Sequence, residues 1–131
     1  MKKKILIVDD KVDSCDVLRD ILTDDGYDTS ASLSSRSALA RIKKKKPDLV
    51  LLDIKMPGMD GIELLKRVKQ RDKKIAVVMI TAHADVDTAR EAMKLGAFDY
   101  ITKPYDMDLI KAVVREALLK SAPGKATRRQ R

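Results

Sequence analysis

Three stretches of the chain are apolar without alternation: Ile5-Leu6-Ile7-Val8, Leu49-Val50-Leu51-Leu52 and Ala76-Val77-Val78-Met79-Ile80. A strand with one face in water alternates apolar and polar residues, so unbroken runs this short point to strands covered on both faces, as in a parallel sheet. Asp28–Ser32 predicts a weaker strand at an edge, and residues 98–102 a fifth. Helical spacing fills the intervals. Cys15, Leu18 and Leu22, joined by Val17 and Ile21, form one stripe, which stops at Asp25-Gly26, where glycine suits a left-handed cap. Ala38, Leu39 and Ile42 mark a second helix, ending before Pro47. Ile62, Leu65 and Val68 mark a third, after the turn-rich Pro57-Gly58-Met59-Asp60-Gly61. Val86, Ala89 and Met93 mark a fourth, closed by Gly96, and Leu109, Ile110, Val113, Val114 and Ala117 a fifth.

Five β-α units in strict alternation give a parallel sheet with helices on both faces, through right-handed crossovers. Five are too few for an eight-stranded closed barrel. The expected fold is therefore α/β: a doubly wound five-stranded parallel sheet of order 2-1-3-4-5, flavodoxin-like, with five helices.

In such sheets ligands bind beyond the carboxyl ends of the strands, at the switch in strand order. The residues expected there are Asp9-Asp10 after strand one, Asp53 after strand three, Thr81 after strand four and Lys103-Pro104 after strand five. Each alone is ordinary: an Asp pair caps helices, Thr81 could cap the next helix, and a lysine is usually solvated. Their joint placement, each at the end of its own strand, is far more specific. Three converging carboxylates repel one another unless a cation intervenes. Carboxylates with a backbone carbonyl and water suit Mg²⁺. An amine and a hydroxyl beside them suit the oxygens of a transferring phosphoryl group.

Composition narrows the classes. The chain has 131 residues, enough for one domain, placed at 1–120, with 121–131 as a basic disordered tail or the start of a linker. Net charge is +8, of which the last eleven residues supply four. The tail lacks aromatics, and no helix-turn-helix or zinc pattern is present, so nucleic acid is not expected as a partner of this chain alone. No apolar run approaches the roughly 20 residues of a membrane span, and the stretch after Met1-Lys2-Lys3-Lys4 is too short for a signal peptide. Cys15, the only cysteine, fits a reducing cytoplasm and a place in the core. The lysine run at 43–46 reads as a solvated helix end, and Met56, Met59 and Met107 as packing.

The stretches ILIVDD (5–10), PDLVLLDIKMPGMDGIELL (47–65), MITAHAD (79–85) and LGAFDYITKPYD (95–106) resemble the receiver domains of bacterial two-component response regulators, over about residues 3–120. The resemblance implies that Asp53 is a phosphoacceptor and that Asp9 and Asp10 position Mg²⁺, with the backbone carbonyl of Lys55 as a further ligand. It implies Lys103 as the phosphoryl contact, Thr81 and Tyr100 as a switch pair, and a cis bond before Pro104. The donor would be a sensor histidine kinase or a histidine phosphotransfer protein. A downstream protein or output domain would read the surface of the fourth helix, fifth strand and fifth helix. Such a protein catalyses its own phosphorylation and slow dephosphorylation rather than turning over a substrate. The alternative is a receiver fragment of a longer DNA-binding transcriptional regulator. Lys55 and His83, two places after Asp53 and Thr81, are expected to tune phosphate lifetime; His83 has no partner that would make it a metal ligand.

Two rivals share parts of this picture. A flavin carrier would want a phosphate-cradling loop after strand one, where this chain has Asp-Asp, and aromatics, which are only 3% of residues. A haloacid-dehalogenase-type phosphatase needs a second aspartate two residues after its nucleophile, where this chain has Lys55.

Overall fold

The computed structural model describes residues 2–53, 61–81 and 86–120. Lys55, Met56, Met59, His83, the turn before Gly61 and the segment 121–131 lie outside the described residues.

Ten elements alternate along the chain: β1 (Lys4–Val8), α1 (Val12–Asp24), β2 (Asp28–Ser32), α2 (Ser35–Lys44), β3 (Leu49–Asp53), α3 (Gly61–Arg71), β4 (Ala76–Thr81), α4 (Val86–Lys94), β5 (Asp99–Thr102) and α5 (Met107–Leu119). The five strands form one parallel sheet, as the alternation predicts, and their order β2-β1-β3-β4-β5 is the flavodoxin-like one expected from the precedent of known doubly wound folds. β1, β3 and β4 run through the middle, buried on both faces, which is why their sequences do not alternate. β2, the edge strand, buries only Ser32 fully.

The core lies in two layers. Leu6, Val8, Val50, Leu52, Val77 and Met79 pack with α2, α3 and α4 on one face. Ile5, Ile7, Leu49, Leu51, Val78 and Ile80 pack with α1 and α5 on the other. Successive residues of each strand thus feed opposite layers.

The helix ends follow their sequence signals. Ser34 caps α2 by accepting from Ser37 N–H (3.1 Å), and Asp106 caps α5 by accepting from Leu109 N–H (2.8 Å). Gly26 and Gly96 follow α1 and α4 with φ of +96° and +108°, values that L side chains rarely adopt.

Three details depart from the sequence pattern, the first being that Met107, expected to pack, is 51% exposed at the start of α5. Val17 is 51% exposed, whereas Cys15, Leu18 and Leu22 are buried. One helical step, about 100°, turns Val17 off the stripe that meets the sheet. β5 begins at Asp99, not at residue 98; Phe98 still donates to Val77 O (2.8 Å) and packs into the α1/α5 layer.

Candidate functional site

The carboxyl ends of β1 and β3 are level, since Val8 lies opposite Leu52, and the next residue on each chain is an aspartate. Asp9 and Asp53 continue the Ile5, Ile7 and Leu49, Leu51 series toward α1 and α5. Both are buried, at 3% and 7% exposure. Asp10 follows Asp9 on the turn into α1. One carboxylate oxygen from each of Asp9, Asp10 and Asp53 lies within 4.8 Å of the others, so the structure brings the three acids together.

Asp9 and Asp10 do not act as helix caps. The N-cap of α1 is Lys11, whose side chain makes no capping bond. Asp9 Oδ1 instead accepts from Lys11 N–H (3.0 Å), which fixes its carboxylate, and its Oδ2 lies 4.0 Å from Lys103 Nζ. The Lys103 side chain is a quarter exposed and reaches Asp9 from the end of β5: Lys103 N–H donates to Thr81 O (2.8 Å), prolonging the ladder one residue past Thr102. The Lys103–Pro104 peptide bond is cis.

Asp10 Oδ1, though the side chain as a whole is not buried, is itself shielded from solvent and has no hydrogen-bond partner among the described residues. A buried carboxylate oxygen left unpaired is costly, and a cation among the three acids would supply its partner. The donor set is three hard carboxylate oxygens, the chemistry of Mg²⁺ and Ca²⁺ sites rather than of sites for softer metals. These residues therefore fit a hard divalent cation. Lys55, expected to add a backbone carbonyl, lies outside the described residues.

Thr81 and Tyr100 belong to the other face. Thr81 continues the Val77, Met79 series, and Tyr100, opposite Met79, packs half-buried against the same layer. Thr81 itself is 3% exposed and lies opposite Thr102, so Thr81 and Tyr100 are diagonal neighbours on one face.

Two neighbours of the acids carry no signal in the sequence. Cys15 Sγ donates to Asp9 O (3.5 Å); burial, and then the Asp9 charge, push its thiol up to about 11. Tyr105 is half-buried, and its hydroxyl is raised by burial first and by Asp9 second. The docking of α1 and of the segment between β5 and α5 beside Asp9, invisible in the spacing, puts these side chains there.

Comparison with known proteins agrees with this fold. The profile of the response regulator receiver domain matches residues 5–115. The chain is 44% identical over 118 residues to sporulation initiation phosphotransferase F of Bacillus subtilis (strain 168), covering 90% of this chain and 95% of that one. It is 42% identical over 114 residues to the transcriptional regulatory protein ZraR of Escherichia coli (strain K12), of which it spans 26%. The receiver domain of NtrX from Brucella abortus superposes with a TM-score of 0.86 at 41% identity, covering 89% of this chain and 99% of that one. The chain belongs to the receiver domains of two-component response regulators, which act as signalling switches.

Proposed function

We propose that Asp53 accepts a phosphoryl group from the phosphohistidine of a sensor histidine kinase or a histidine phosphotransfer protein. The observation that carries this reading is the meeting of Asp9, Asp10 and Asp53 within 4.8 Å, faced by the Lys103 amine. A carboxylate oxygen of Asp53 attacks phosphorus as the P–N bond to the donor imidazole breaks, and the imidazole takes up a proton. Asp9, Asp10 and Asp53 would hold Mg²⁺, which when bound would offset the negative charge of acids and phosphoryl group. Asp9, fixed by Lys11 N–H, keeps the acids in register. Lys103 meets the phosphoryl oxygens as a point charge. Thr81 and Tyr100, neighbours on the opposite face, would register the change and pass it to the surface of α4, β5 and α5. The reaction is self-phosphorylation followed by slow hydrolysis, not turnover. Its setting would be the cytoplasm, where such kinases present their phosphohistidine. Among the described residues no helix is long and apolar enough to cross a membrane.

The test is incubation of the protein with Mg²⁺ and acetyl phosphate. Intact mass should rise by one phosphoryl group in the wild type and not in Asp53→Asn. Undiminished uptake by Asp53→Asn would move the phosphoacceptor elsewhere.

A further inference from the structure

The charge of this chain is sorted by face. In α2, α3 and the loops leading from them into β3 and β4 (residues 35–48 and 61–75) there are twelve lysines and arginines against three acids. All three acids are already engaged. Asp72 pairs with Lys46 (2.7 Å), Glu63 with Arg67 (3.4 Å), and Asp48 accepts from Lys4 N–H (2.7 Å). Of the twelve cations only Lys69 turns inward, donating to Ile75 O (2.6 Å) and Lys73 O (3.1 Å), where burial pulls it below the ordinary lysine range. The other side of the sheet is unlike this: α1 exposes Asp13, Asp16, Asp20 and Asp24 with Arg19 its only cation, and α5 balances Asp108 and Glu116 against Lys111 and Arg115.

The basic side carries two open hollows that share Lys43. One of about 560 Å³ is lined by Ser37, Ala40, Arg41, Lys43 and Lys44. A second of about 330 Å³ lies between α2 and α3, lined by Leu39, Lys43, Arg67, Gln70 and Arg71, and Lys43 borders both. Neither helix carries an aromatic residue. The exposed large apolar residues of the described chain are Val12, Val17, Leu33, Met107 and Leu119, none of them on α2 or α3.

We infer that the α2–α3 face binds the phosphate backbone of duplex nucleic acid without reading its sequence. Dense cations bordering these hollows, with two of the three acids paired to Lys46 and Arg67 and the third held by a backbone N–H, match a regularly spaced polyanion. A protein partner would want apolar or aromatic anchors at the centre of the contact, and a membrane surface would want apolar side chains to insert; this face offers neither. The inference goes beyond the receiver chemistry, since these residues lie away from the acids. It also revises the expectation of no nucleic-acid partner, which assigned half of the net charge to the tail and read the lysine run at 43–46 as a solvated helix end.

The experiment is fluorescence anisotropy of a labelled random-sequence DNA duplex with the full chain, from about 50 to 200 mM salt. Three proteins are compared: wild type, a face variant (Arg41→Gln, Lys43→Gln, Lys44→Gln, Arg71→Gln) and a tail variant (Lys125→Gln, Arg128→Gln, Arg129→Gln, Arg131→Gln). The face variant should bind on the order of a hundredfold more weakly, with a log K against log salt slope shallower by about 3 to 4. The tail variant should keep most of the affinity. Lysine acetylation of the wild type, which needs no variant, should show Lys43, Lys44, Lys66 and Lys73 protected by DNA and Lys111 not. Absence of binding at the lowest salt overturns the inference, as does loss with the tail variant alone. So does displacement by polyglutamate as effective as by unlabelled DNA, or binding to anionic phosphatidylserine vesicles in place of DNA.

Discussion

The two faces of this sheet are alike in how they pack and unlike in what they carry at their rim. Both bury aliphatic side chains from the same three central strands, so that Leu51 and Leu52, adjacent in the chain, sit 1% and 0% exposed in different layers. Beyond the last apolar residue the faces part. Toward α1 and α5 the strands end in Asp9 and Asp53, met by Lys103, while toward α3 and α4 lie Thr81 and Tyr100. Strand alternation alone makes that division, because a shift of one residue moves a side chain to the other face. The lesson is that one short sheet can place the group proposed to react and the groups proposed to report the reaction on opposite faces.

Equality of packing is the first part of the comparison to test, and it carries the largest expected effect. Leu51→Ala and Leu52→Ala should each lose about 2–5 kcal/mol, read from urea unfolding, each as a single transition. A loss below about 1 kcal/mol for either would mean that its layer is not close-packed and that the faces differ in more than their rims.

This layering was legible in the sequence because a short apolar run without alternation suits a strand covered on both faces, and five such units in alternation with helices suit one sheet. The positions of Asp9, Asp53, Thr81 and Lys103 followed from where those runs stop. What stayed hidden depended on rotation and neighbourhood. Val17 reads as apolar in any stripe, yet one helical step puts it in solvent. Tyr105 comes under the influence of Asp9 only through the docking of the segment after β5. The sorting of cations onto α2 and α3 needs the knowledge that these helices are neighbours, which strand order supplies and composition cannot.

The chemical division of the rim comes next. Asp10→Asn should lower Mg²⁺-dependent phosphoryl uptake on the order of tenfold or more, while raising the stability of the metal-free protein by about 1 kcal/mol, since it removes one of three carboxylates that repel one another. Thr81→Val should leave uptake within a few-fold but blunt the shift of backbone NMR signals across α4 and β5 on phosphorylation. Equal loss of uptake in the two variants would erase the distinction between a reacting face and a reporting one.

The smallest effect lies on the basic side, where the few acids are held by their neighbours. The side-chain hydrogen bond from Lys46 is the main reason that the Asp72 carboxyl lies below its ordinary value of 3.8, with the Lys74 N–H bond (2.9 Å) second. A folded-state value below the unfolded one stabilises the protein above about pH 3.8, and that contribution fades as pH falls through the lowered value. Asp72 lies at the surface, where water screens the pair, so the effect on stability is slight and is better read at the residue itself. In an NMR titration of the carboxyl carbon, Lys46→Ala should move the Asp72 midpoint upward but not all the way, because Lys74 N–H still donates to Oδ1. An unmoved midpoint would show that Lys46 does not hold this acid, leaving Asp72 free to repel a polyanion and weakening the contrast between a neutralised basic face and the acidic face of α1.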